Sequence, residues 1–152
     1  MELVKVLNPI DFWYVKSIHN ECRELLPLDK DRRRIGFLRY IGLIIKYAFW
    51  TDSPIVYVLK NNFGEAVGWG EIAYDHYLNP WINGGISRRC RGQGYGRQLF
   101  QYLSEEWKSP VFCEILQENE IGQRLLCSLG FHPIGNRVEF NRNIVTMRKE
   151  WH

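Results

Sequence analysis

Between Ile86 and Leu99 a short strand-like run passes through Arg91-Gly92-Gln93-Gly94-Tyr95-Gly96 directly into a helical repeat. Glycines at 92, 94 and 96 allow a turn tight enough to set a strand end against a helix start. The first N–H groups of such a helix lack intrahelical acceptors and lie at the positive end of its dipole, so the turn offers donors to an anion such as a phosphate. A side chain at these positions would stand between anion and backbone, and Arg91 adds a charged donor. A Walker-type loop is excluded, because Arg97-Gln98 follows the last glycine where Lys-Ser/Thr is required. A dinucleotide fingerprint is excluded by the spacing. A tight turn without a ligand remains the alternative.

The flanking sequence reads as alternating strands and helices. Glu2–Leu7 alternates as a strand, and Asp11 is placed to cap a helix reaching about Leu26, which Pro27 ends. A second helix is expected from Asp29 or Asp31 through Ile35, Leu38, Ile41, Ile45 and Phe49. Ile55–Leu59 and Ala66–Tyr74 flank Asn61-Asn62-Phe63-Gly64 as an antiparallel hairpin. The strand Trp81–Ser87 enters the glycine turn, and the helix after it carries Tyr95, Leu99, Leu103 and Trp107 on one stripe. Val111–Leu116 is a strand. Asn119 caps a helix with Ile121, Leu125, Leu126 and Leu129 inward, closed by Gly130 with Phe131 folding back toward Leu126. Strands near Val138–Phe140 and Asn143–Arg148 complete the order βααβββαβαββ: an α/β fold, with a mixed sheet of about six to seven strands and helices on both faces. The strand–helix–strand unit of the second half implies a parallel pair with a right-handed crossover.

A chain of 152 residues, 45% hydrophobic and 24% charged, can bury a core without covalent staples, and it reads as a single domain over 1–152. Its net charge of +3 is too small to point to a nucleic acid, and the basic run Lys30–Arg34 reads as a solvated helix face. Cys22, Cys90, Cys113 and Cys127 form no CxxC pair and have no histidine at zinc-finger spacing, so they read as reduced thiols with no metal. Met1–Pro9 has no signal-like apolar core. Ile35–Trp50 contains Arg39 and Lys46 and is too short to cross a bilayer. The expectation is a soluble, cytoplasmic protein.

Ile86-x4-Arg91-Gly-x-Gly-x-Gly-x2-Leu99, then Glu114-x4-Asn119 and Ser128-Leu129-Gly130-Phe131, resembles the GNAT superfamily of acyl-CoA-dependent N-acetyltransferases. Arg91–Gly96 matches that family's pyrophosphate signature R/Q-x-x-G-x-G/A at each defined position, and Asn119 and Gly130-Phe131 match its second block. The resemblance implies acetyl-CoA or a related thioester as cosubstrate, with Ile86, Arg91, Gly92, Gln93, Gly94, Tyr95, Gly96 and Asn119 at its site. The pantetheine arm would lie along Trp81–Ser87, in a gap between that strand and the next. An amide near Gly84 would polarise the thioester carbonyl. Gly84-Gly85 suit a close ligand approach, or else form a β-bulge.

The acceptor must attack as a neutral amine, so a carboxylate is needed to take its proton. Glu114 stands where several family members carry a base glutamate, and it lies mid-strand among apolar residues. Facing solvent or pairing with an arginine is the competing reading. Glu71 is the second candidate. The tyrosine that the family places seven residues after the Asn is here Leu126, which leaves the leaving-group acid to Tyr95, to water or to nothing. An amine of a small molecule, an amino sugar or a peptide is the expected acceptor. It would be met by the N-terminal helices and the hairpin, where Trp13, Tyr14, Tyr40, Tyr47, Trp50, Tyr74 and Tyr77 fall, most of them expected in the core. The alternatives are a CoA-binding module without turnover and an acyltransferase acting on nucleic acid. A homodimer is left open.

Overall fold

The computed structural model describes residues 2–5, 9–26, 42, 55–105 and 107–151. Strand β1 (Glu2–Lys5) precedes helix α1 (Pro9–Cys22), which tightens into a 3-10 turn at Arg23–Leu25. The expected second helix, the basic run Lys30–Arg34, and Tyr40, Tyr47 and Trp50 lie outside the described residues. Then follow β2 (Ile55–Lys60), β3 (Ala66–Tyr74), β4 (Pro80–Ile86), a 3-10 turn (Arg88–Cys90) and α2 (Tyr95–Glu105). After them come β5 (Val111–Leu116), α3 (Glu120–Ser128), β6 (His132–Glu139) and β7 (Arg142–Lys149).

Among the described residues these strands form one seven-stranded sheet in the order β1-β2-β3-β4-β5-β7-β6. The expected hairpin is present, and β4–β5 is the parallel pair. Alternation along the strands divides the core between the two faces. On one face Phe12, Val15, Ile18 and Cys22 of α1 cover Val58 and Trp69. On the other, Leu99 and Leu103 of α2 and Leu126 of α3 cover Leu59, Ile72, Ile82 and Cys113. The helices therefore lie on both faces, as the order of elements implies.

Several local readings are corrected. Asp11 is not a cap: it lies inside the first turn of α1, 4% exposed, and its Oδ1 is 3.0 Å from Lys60 Nζ. The carboxylate that α1 carries into the sheet surface is thus neutralised by β2, as a buried charge requires. Ile121 is 77% exposed rather than inward. Gly122 takes the core-facing position, where a Cβ would come 2.5 Å from Ile115 Cδ1. Trp107 lies beyond the end of α2 and meets Tyr74 edge-on, with ring centroids 5.4 Å apart. Trp13, Tyr14, Tyr74 and Tyr77 are exposed, not core. Strand β6 starts at His132, six residues before the expected point, and Phe140 belongs to the turn. Phe140 and Asn141 take φ of 49° and 60°, the two left-handed residues of a type I′ hairpin. The helix cap Asn119 is as expected, its Oδ1 accepting the Gly122 N–H at 3.1 Å. Gly130 has φ of 90°, and Phe131 donates its N–H to Leu126 O at 3.1 Å.

Candidate active site

Strands β4 and β5 share one registered pair, Trp81 with Phe112, near the start of each strand. Past it they part, and a cleft of roughly 530 Å³ opens between them. Its walls are Asn83–Ile86 of β4, Cys113–Ile115 of β5, the end of α1, the glycine loop, and the inner sides of α2 and α3. A strand edge without a neighbour must satisfy its polar groups otherwise. Here Asn83 Oδ1 accepts the Gly84 N–H at 2.8 Å. The Ile86 carbonyl accepts from Arg91 Nε at 3.1 Å and from the Cys22 thiol at 3.3 Å.

No bulge occurs at Gly84-Gly85, where the β3–β4 register runs without a shift. What these residues must lack is a side chain. A Cβ at Gly84 would lie 2.7 Å from the Trp69 carbonyl oxygen and 3.1 Å from Leu99 of α2, and one at Gly85 would lie 2.8 Å from Cys22 Sγ of α1. Both helices can thus close on β4 from opposite faces.

In the loop Gly92 and Gly94 take φ of 76° and 84°, which other residues adopt only with strain, and open space lies where their side chains would be. Gln98 N–H donates to the Gly94 carbonyl at 3.3 Å, so the amides of Tyr95, Gly96 and Arg97 precede the first hydrogen bond of α2. Gly96 sits where α2 meets α3, a Cβ there being 3.2 Å from Leu125. Arg91 is folded back on the strand end rather than extended. Of the residues singled out in the sequence, Gly84, Ile86, Arg91, Gly92, Gly94 and Gly96 line the cleft, as do Glu114 and Asn119. Gln93, Tyr95 and Glu71 do not. Gln93 turns its side chain to the Arg89 carbonyl at 3.2 Å, and Tyr95 packs against the core.

Glu71 and Glu114 project from the same face of the sheet. Glu71 lies between Gly70, whose missing side chain points at Leu103 of α2, and the core residue Ile72; Glu114 lies between the core residues Cys113 and Ile115. Each carboxylate therefore points away from α2. Glu71 accepts from Asn83 Nδ2 at 3.3 Å across β3–β4. Glu114, 14% exposed, is paired through both oxygens with the Arg137 guanidinium of β6, which also binds Glu139 at 2.9 Å. These pairs push the Arg137 pKa further up. Glu114 thus takes the arginine-paired alternative while still walling the cleft. The sequence reading missed Arg137 and Asn83. Asn83 had a signal, since it alternates with Trp81 and Gly85 on one face; Arg137 had none, because its stretch did not read as a strand.

The sequence model of the Acetyltransferase (GNAT) family matches residues 12–131. The chain belongs to that family. It is accordingly an acyl-CoA-dependent N-acyltransferase by family. Solved structures repeat the fold over almost the whole length. A spermidine N-acetyltransferase mutant from Vibrio cholerae is 16% identical with a TM-score of 0.82, over 99% of this chain and 95% of the other. A ribosomal-protein-alanine N-acetyltransferase from Brucella melitensis is 19% identical with a TM-score of 0.78, over 99% of each chain. A phosphinothricin acetyltransferase from Sinorhizobium meliloti, in complex with acetyl-CoA, is 13% identical with a TM-score of 0.80, over 99% of this chain and 88% of the other. No curated protein matches.

The cleft suits such a cosubstrate. It is largely apolar, and its lining includes the loop whose left-handed glycines leave the start of α2 open. Against the family pattern, Leu126 is buried on the cleft wall and has no proton to give, while Cys127 is exposed. Burial pushes the Cys22 thiol up, with Arg91 opposing, and pushes Cys113 up to about 12. Both stay protonated at neutral pH and are poor nucleophiles. Among the described residues no cluster of His, Cys, Asp or Glu could hold a metal, and no helix is long and apolar enough to cross a membrane.

Proposed function

We propose that this chain acetylates a primary amine of a small molecule, amino sugar or peptide, by direct attack of the amine on acetyl-CoA seated between β4 and β5. One observation carries the reading: the same cleft is lined by the glycine loop and by a carboxylate, Glu114. The amides of Gln93–Gly96, with Arg91, would hold the pyrophosphate. The thioester supplies an activated acetyl group with a readily leaving thiol. The Gly84 N–H, now held by Asn83 Oδ1, is the donor we assign to the thioester carbonyl. Of the cysteines lining the cleft, Cys22 and Cys113 have their thiols pushed up by burial and are poor candidates for a cysteine-bound acyl group. Four free cysteines favour a reducing, cytoplasmic setting.

Glu114 is the first choice for taking the amine's proton, since it walls the cleft. Glu71 is the second reading, favoured by one fact: Arg137 already engages both oxygens of Glu114, so an incoming amine would compete with a guanidinium for that carboxylate. Either acts from the same face, which makes that face the approach of the amine.

The test is a panel of amines with acetyl-CoA and free-thiol detection. Thiol release dependent on at least one amine is expected. Tight CoA binding with no release across the panel would leave a binding module in place of an enzyme.

A further inference from the structure

The glycine loop is held from outside, by the last two residues of α1. Ser87 and Arg88 are where the chain leaves β4 for the loop. Ser87, only 3% exposed, donates its hydroxyl to Glu21 Oε2 at 2.9 Å. The Arg88 N–H donates to the same oxygen at 2.9 Å. The next residue of α1, Cys22, donates its thiol to the Ile86 carbonyl and accepts from Arg91 Nη2 at 3.5 Å. Inside this clamp Cys90 N–H closes the 3-10 turn on the Ser87 carbonyl at 2.9 Å, and Ser87 N–H reaches the Val67 carbonyl at 2.9 Å. Three consecutive residues, Ile86 to Arg88, are thus tied to two consecutive residues at the end of α1, Glu21 and Cys22. Electrostatics does not explain this use of a glutamate: its negative charge stands beside a loop that must receive an anion. Its hydrogen-bonding geometry does explain it, since one oxygen takes both donors at the loop's root.

We infer that Glu21 is a positioning residue for the donor loop: it fixes where the amides of Gln93–Gly96 stand relative to β4. A displacement of about 1 Å in such a frame is enough to spoil binding and catalysis. The inference rests on the acyltransferase reading above, because it assigns a purpose to the loop that reading uses. Glu21 touches no reacting atom, so its loss should act on donor affinity and leave the proton transfer alone.

The variants Glu21→Ala, Glu21→Gln and Ser87→Ala separate geometry from charge. Glu21→Ala should raise the KM for acetyl-CoA and the Kd for CoA about tenfold, because both hydrogen bonds to the charged oxygen at the loop's root are lost, with kcat and the acceptor KM unchanged. Ser87→Ala removes one of the two bonds and should cost about threefold. Glu21→Gln keeps an acceptor oxygen and loses the charge, so it should bind CoA as well as the parent or better. Calorimetry with CoA and a melting curve for each variant keep binding apart from folding. Unchanged CoA affinity in a folded Glu21→Ala overturns the inference. So does tighter binding by both Glu21 variants, which would make the residue only a repelling charge. A parent protein that itself fails to bind CoA removes the acyltransferase reading, a result distinct from either of these.

Discussion

The two ends of β4 are built in opposite ways. At its start the strand is pinned by side chains. Trp81 stacks on Phe112 of β5 with ring centroids 5.3 Å apart, and its Nε1 donates to Asp75, which also accepts from the backbone N–H groups of Tyr77 and Asn79 in the preceding turn. At its end the strand has left β5, its side chains are two glycines and an isoleucine, and the chain turns through residues of positive φ. Cross-strand packing fixes one end. At the other, side chains rather than a neighbouring strand take up backbone groups: Asn83 accepts the Gly84 N–H, and Arg91 and Cys22 donate to the Ile86 carbonyl. A cleft follows from where pairing stops, and apolar side chains of β4, β5 and the helices line most of it.

The largest effect should come from the open end. Gly94→Trp demands a left-handed tryptophan and fills the open space in front of the α2 amides, and CoA binding should be abolished while the circular dichroism spectrum of the fold persists. Binding equal to the parent would move the site elsewhere. Arg91→Ala should cost less, about 1.5–3 kcal/mol, since the amides remain.

Next come the carboxylates. Removing the true proton acceptor should lower the rate by about 10²–10⁴-fold, with the loss shrinking at high pH where the amine is already neutral. Rate against pH for Glu114→Gln and Glu71→Gln decides between them: a pH-dependent defect in Glu71→Gln alone assigns the base to β3 and leaves Glu114 as the structural partner of Arg137. At the pinned end the effect is on stability. Trp81→Ala should lower it by about 2–3 kcal/mol, less than for a fully buried tryptophan, measured by urea unfolding. A Trp81→Ala protein as stable as the parent would show that the stack does not hold the strands together.

The smallest effect is that of Asp75. The Asn79 side-chain amide, helped by the Asn79 and Tyr77 backbone N–H groups and by Trp81, lowers its carboxyl pKa to about 2. Its folded value lies below the unfolded one. The turn's contribution is therefore complete above the ordinary carboxylate range and is lost as pH falls through about 2. A side-chain NMR titration with a midpoint near 4, the ordinary carboxylate value, would contradict the hydrogen-bonded turn.

The sequence made the open end legible and the carboxylate side much less so. Glycine spacing, a cap at Asn119 and the Gly130-Phe131 return are local, so their residues announce the geometry directly. Where the reading failed, neighbours in space decided. Gly122 carries no apolar signal, yet it is the residue that lets α3 approach Ile115. Asp11 resembled a cap because nothing in the sequence places Lys60 against it. In β6, Pro133 and Gly135 depress strand propensity. An edge strand tolerates them, with a register shift between the two, and Phe140-Asn141 lacks the glycine that usually marks a two-residue hairpin. With β6 unread, Arg137 could not be set against Glu114.

The most direct measurement is an amide NMR titration of the protein with acetyl-CoA. The expected result is a set of shifts confined to the open end, Gly84–Ile86 and Gly92–Gly96, with Asp75–Trp81 at the pinned end unmoved. Shifts centred on the pinned end, or none at either end at saturating acetyl-CoA, would contradict the assignment of the β4–β5 cleft as the donor site.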